Sequence, residues 1–141
     1  MGAYDKMKRF LDRKGLSYEE GRTDEGERFF RLRQPVDNSE TLMVVISFNQ
    51  DDKKARAIVF KLATVSDSSK FLDLLEILND LNNKISYWRF ATSSEGEVTA
   101  DYELHIEDDF DCEQIFFPIQ LLVYGIIKNG IMKPVMRLQW S

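Results

Sequence analysis

Residues 71–106, FLDLLEILNDLNNKISYWRFATSSEGEVTADYELHI, read as an amphipathic helix, a turn and a two-stranded hairpin. Phe71, Leu74, Leu75, Leu78 and Leu81 recur at the three-and-four spacing that places apolar side chains on one helical face, and Leu72 and Ile77 widen it. Further on, Val98, Ala100, Tyr102, Leu104 and Ile106 alternate with Thr99, Asp101, Glu103 and His105. That period of two marks a strand with one buried and one wet face. Between the two lie Asn82 and Asn83, which tolerate a left-handed helix end, the aromatic run Tyr87-Trp88-Arg89-Phe90, and a hairpin turn at Ser93-Ser94-Glu95-Gly96.

Working outward, residues 3–14 read as a short helix with Tyr4, Met7, Phe10 and Leu11 on one face, stopped by Lys14-Gly15. The polar, glycine-bounded segment 21–26 reads as a loop or loose hairpin turn. Three strands are expected next. In 27–34, Arg28, Phe30 and Leu32 stand opposite Phe29, Arg31 and Arg33, and Pro35 ends the run. In 41–48, Leu42, Val44, Ile46 and Phe48 line one face, while Met43 and Val45 suggest partial burial of the other. In 55–64, Ile58, Phe60 and Leu62 share a face. Residues 66–69 offer caps for the central helix. A final helix starts near Asp111, which stands at capping-box spacing from Gln114, and runs to 128–130. Its stripe is Ile115, Phe116, Ile119, Leu122, Val123, Ile126 and Ile127, and Pro118 is expected to kink or restart it.

The expected order is therefore α-β-β-β-α-β-β-α, an α+β fold with an antiparallel sheet and helices mainly on one face. With 141 residues the chain fits one domain, 1–141, large enough to bury a core without staples. A net charge of −5 disfavours nucleic acid. One cysteine, Cys112, allows no internal disulfide and fits a reducing compartment. The N-terminal residues lack a signal-peptide run, and no segment stays apolar over the length of a membrane span. The expected location is therefore cytoplasmic, with no membrane partner.

Leu78-Asn79-Asp80-Leu81-Asn82, the aromatic Tyr87–Phe90 run and the Gly96-Glu97-Val98 hairpin, in this element order, resemble the YbjN family. Proteins of that family look like the chaperones of type III secretion in fold and carry the label of bacterial sensory transduction regulators. The resemblance implies a small cytoplasmic domain that binds other proteins and dimerises, with no catalytic residue and no cofactor. It makes Leu78, Asn79, Leu81, Asn82 and Gly96 structural positions of the motif.

Asn79 and Asn82 share a helix face and could meet a partner, but capping the helix and fixing the next turn is the reading asparagine favours. Glu107, Asp108, Asp109 and Asp111 lack the spacing of a calcium loop and suit a helix start instead. No metal site is therefore assigned. His105, the one histidine, falls on a polar strand face, and Cys112 is expected buried rather than reactive. Phe29, Arg31 and Arg33 place an aromatic and two cations on one strand face, a candidate partner-binding strip. Phe117, Leu121 and Tyr124 add apolar surface to the sides of the final helix. The central helix, the apolar tail 132–140 or a second copy could cover that surface, the last making these three a homodimer interface. The residues point to a non-enzymatic protein-binding module whose client they do not name. A small-molecule- or metal-responsive regulator is the alternative, and a carboxylate hydrolase is the weakest reading.

Overall fold

The computed structural model describes residues 2–36 and 41–141. Its elements in chain order are α1 (Ala3–Arg13), β1 (Tyr18–Arg22), β2 (Arg28–Pro35), β3 (Thr41–Phe48), β4 (Lys54–Thr64), α2 (Phe71–Lys84), β5 (Arg89–Thr92), β6 (Glu97–His105), α3 (Glu113–Tyr124) and α4 (Lys133–Trp140). A 3₁₀ turn, Ser68–Lys70, leads into α2, and a π turn, Gly125–Asn129, follows α3. The strands form one antiparallel sheet in the order β1-β2-β3-β4-β6-β5. One hydrophobic cluster takes side chains from all four helices and from β2 to β6, so the helices share one face of the sheet. The α+β class and the expected order stand, with a strand and a helix added.

The added strand is β1, so the reading of 21–26 as a loop is corrected at Gly21 and Arg22. Tyr18-Glu19-Glu20-Gly21-Arg22 has low strand propensity. Tertiary contacts hold it: pairing with β2, the Tyr4 hydroxyl donating to Glu20 Oε1 at 2.7 Å, and the Tyr18 hydroxyl donating to Asp12 at 2.7 Å. The turn proper is 23–26, closed by Thr23 N–H to the Glu27 carbonyl at 2.8 Å. The added helix is α4. Val135 is fully buried, and Lys70 Nζ donates to the Leu138 carbonyl at 3.0 Å, so the tail covers part of the core itself.

Three helix expectations change in detail. Leu74, Leu78 and Leu81 of α2 are buried, but Leu72 and Leu75 are exposed, so the buried stripe is narrower than the sequence pattern. α3 continues through Pro118 rather than restarting there. Its end is the π turn, and the wider turn changes the phase of the helix. Ile127 thereby leaves the buried stripe and is exposed. The start is as expected: Asp111 N–H donates to Gln114 Oε1 at 3.1 Å, and Glu113 N–H to Asp111 Oδ1 at 3.0 Å.

β4 departs furthest from its pattern. Ala55, Ala57 and Val59 face the core, and Ile58 and Phe60 face the other way. Pairing with β6 then jumps from Val59↔Ala100 to Ala63↔Val98, so residues 60–62 oppose Thr99 alone. Lys61 adopts φ +55 inside this bulge. The bulge separates Leu62, which packs on the core cluster, from Ile58 and Phe60, correcting their assignment to a common face. Among the described residues, no single helix is long and apolar enough to cross a membrane.

Candidate functional site

The motif asparagines divide in role. The Asn82 carboxamide pairs with both backbone groups of Phe90 in β5. Asn79 is exposed, between the buried Leu78 and Leu81 of the following turn. Gly96 has φ +82, and a Cβ there would lie 1.8 Å from the Val65 carbonyl oxygen. Val65 N–H in turn donates to the Gly96 carbonyl at 2.9 Å, so the β5–β6 turn is closed against the chain leaving β4. Trp88 is buried and its indole N–H donates to the Pro118 carbonyl at 2.9 Å, tying the aromatic run to α3. Leu78, Leu81, Asn82 and Gly96 thus position structure.

Phe29, Arg31 and Arg33 lie on the outer side of β2, away from the helices. The register sets Phe29 beside Ser47, Arg31 beside Val45 and Arg33 beside Met43. Across β3, Val45 is level with Ile58 and Met43 with Phe60. Phe29, Met43, Val45, Ile58 and Phe60 are all half-buried and floor a groove of about 490 Å³ on this helix-free face. Arg31, Arg56 and Lys61 stand around it, with Glu27 and Glu97 at its margin. Arg33 is exposed and lies outside the groove lining. Phe29, placed on the partner-binding strip, and the partial burial expected for Met43 and Val45 were the sequence signals of this floor. Ile58 and Phe60 join it because alanines take the core positions of β4, and Lys61 because of the bulge.

The charges are tethered at one side. Arg56 donates from Nε and Nη2 to Asp101 Oδ2 at 3.2 and 2.9 Å, and Arg89 donates to the same carboxylate at 3.1 and 3.2 Å. The Asp101 side chain is only 13% exposed, so two guanidiniums neutralise a shielded charge. Arg31 reaches Glu19 at 3.6 Å and lies 5.8 Å from the Phe29 ring.

On α3, Phe117, Leu121 and Tyr124 form an exposed strip at four-and-three spacing. Neither α2 nor α4 covers it. Exposed Tyr87, at φ +76, stands across from the strip, between clefts of about 290 and 280 Å³ that Phe117 and Leu121 respectively help to line. His105 is exposed at the first of these clefts.

Cys112 is buried, and burial first of all pushes its thiol up to about 11, against the lowering that a helix start alone would give. Glu107, Asp108, Asp109 and Asp111 are exposed, and Asp111 serves the start of α3. Among the described residues, no group of three or more His, Cys, Asp or Glu is placed to hold a metal ion.

Two comparisons bear on this architecture. A family model described as "Putative bacterial sensory transduction regulator", YbjN, matches residues 3–121. The crystal structure of YbjN from E. coli, described as "a putative transcription regulator", is similar over 97% of this chain and 88% of that one, with TM-score 0.54 and 13% identity. At that identity the likeness concerns the fold. No curated protein matches the sequence.

Proposed function

The chain belongs to the YbjN family, and on that premise we propose that it is a non-enzymatic regulatory protein that binds another polypeptide across the open face of its sheet. The observation that carries this reading is the floor of Phe29, Met43, Val45, Ile58 and Phe60. The solvent side of a two-layer antiparallel sheet is ordinarily polar. Here its central strands present Met, Val, Ile and Phe, and since these are already half-buried, covering them contributes a part of the roughly 1.5–3 kcal/mol that full burial of each would give. Charged side chains ring the floor, the pattern of an interface core with a polar rim.

A photo-crosslinking residue at Ile58, introduced in cells, tests the reading, with one at exposed Leu72 as control. A discrete adduct with a second polypeptide from Ile58 alone is expected. Equal adducts from both sites, or none from Ile58, would overturn it.

The exposed strip Phe117, Leu121 and Tyr124 favours a second contact, between two copies of the chain. Light scattering on the purified protein should give the mass of a dimer, and Leu121→Asp that of a monomer. A wild-type monomer at high micromolar concentration would remove this part.

A further inference from the structure

We infer that the occupant of the open face is an amphipathic helix of a partner protein, with carboxylates flanking its apolar stripe; the inference rests on the protein-binding reading above.

The shape of the occupant follows from where the groove lies. Val45 and Ile58 are paired across β3 and β4, the two middle strands of the sheet. A partner strand adds by backbone pairing at an edge, and these strands have both edges occupied. What packs on the middle of a sheet face is a layer, and a helix is the smallest layer one segment can supply.

The charge of the occupant follows from the rim. Arg31, Arg56 and Lys61 line the groove against Glu27 and Glu97, with Glu19 and Asp101 already paired to the two arginines, so cations and carboxylates are close to balanced here on a chain whose net charge is −5. Elsewhere the acidic surface repels an acidic partner, so the cations beside this apolar floor are where such a partner finds contacts, which favours its orientation. Lys61 strengthens the case. Val59 and Ala63 point into the core, and strict alternation would send Lys61 there with them. The bulge and its φ of +55 instead leave Lys61 exposed, where it lines both this groove and the cleft beside Leu62 and Trp140. Arg56 is fixed by Asp101, and among the described residues Arg31 meets a Glu19 side chain that is 73% exposed, so both present donors to an incoming carboxylate. Two strands and two residues separate Arg31 from Arg56 in the register. That is roughly 12 Å between their Cα atoms, about two turns of helix, so carboxylates seven or eight positions apart would meet both.

The test uses three labelled helical peptides of about five turns with one leucine stripe, flanked by Glu, Gln or Lys, titrated against the full chain by fluorescence anisotropy. The Glu peptide is expected to bind on the order of tenfold tighter than the Gln peptide, and the Lys peptide weakest, with the spread shrinking as salt rises. Arg31→Glu with Lys61→Glu should reverse the order of the Glu and Lys peptides. Both side chains are exposed, and circular dichroism confirms the fold of the variant; Arg31→Gln with Lys61→Gln, which should erase the order, serves if the first variant does not fold. Ile58→Asp should abolish binding of all three. Gln or Lys peptides binding as tightly as Glu would overturn the acidic partner and leave the open face as a docking surface. Glu-peptide binding that survives Ile58→Asp would place the contact elsewhere and overturn the inference. Failure of all three peptides would overturn the helical occupant, and the Ile58 crosslink separately decides whether a polypeptide binds there.

Discussion

The carboxamide of Asn82 is bonded to both backbone polar groups of Phe90, its Nδ2 donating to the carbonyl at 3.0 Å and its Oδ1 accepting the N–H at 2.7 Å. Phe90 lies on β5, the edge strand beside β6. The last turn of α2 therefore stands where the next strand of the sheet would be, and one amide mimics a backbone partner. An edge satisfied in this way is closed to another chain at that residue.

Asn82→Ala leaves a part-buried donor and acceptor without partners, and should destabilise the protein by about 1–3 kcal/mol. Asn82→Asp should not rescue it, because a carboxylate accepts from the N–H but repels the carbonyl. Urea midpoints measure both variants. Hydrogen exchange at the Phe90 amide should accelerate more than at Ala100, which lies opposite it on β6. Unchanged midpoints in both variants would reduce the pair to a surface contact.

Two glycines separate backbone strain from steric overlap. Gly15 has φ +70 and nothing within 4 Å of where an alanine methyl would sit, whereas at Gly96, φ +82, the methyl would meet the Val65 carbonyl. Gly15→Ala should cost about 1–2 kcal/mol, the ordinary left-handed penalty. Gly96→Ala adds displacement of Val65 and should cost at least ~3 kcal/mol. Equal losses by thermal or urea unfolding would mean that the chain at Val65 yields freely.

Helix α2 and strand β6 are plain in the sequence because both are amphipathic, so their burial is written as a period. β1 is not, because Glu19, Glu20 and Gly21 carry no strand signal and are held by side chains from α1 and by pairing with β2. The C-terminal helix shows only as excess apolar residues between Met132 and Trp140, and the π turn leaves no mark in the pattern it disrupts. The candidate face was half legible. Phe29 and Arg31 alternate clearly, but β4 reads inside out, since Ile58 and Phe60 look like core beside Ala55 and Ala57. Lys61 reaches the groove only through a bulge, which alternation cannot announce.

Glu20 contributes stability with a defined dependence on pH. The Tyr4 hydroxyl that bonds it is the main cause holding its carboxyl below the ordinary glutamate range; burial opposes this, and Lys8 adds to the lowering. The folded chain thus releases this proton at lower pH than the unfolded chain. The contribution is complete above the unfolded value and is lost as pH falls through the folded one. Glu20→Gln should therefore be less stable than wild type near pH 7 and approach it near pH 3, roughly. Parallel urea midpoints across that range would remove the linkage from Glu20.

Phe29 has a structural duty beside its place on the groove. A methyl group at Gly21 would lie 2.3 Å from the Phe29 ring, so the ring packs directly over the glycine of the edge strand. Aromatic cover of this kind stabilises an edge glycine. Gly21→Ala should be destabilising in the wild type and close to neutral in a Phe29→Ala background, a coupling of about 1 kcal/mol in a double-mutant cycle. Additive losses would show that the ring moves aside without cost. If the coupling is found, Phe29→Asp weakens β1 as well as the docking face, and lost binding in that variant has two causes. Ile58 has no such duty to an edge strand: it sits mid-sheet between Val45 and Asp101. Substitution at Ile58 therefore reports on the face itself, and loss of binding there with an unchanged unfolding midpoint separates partner recognition from the integrity of the sheet edge.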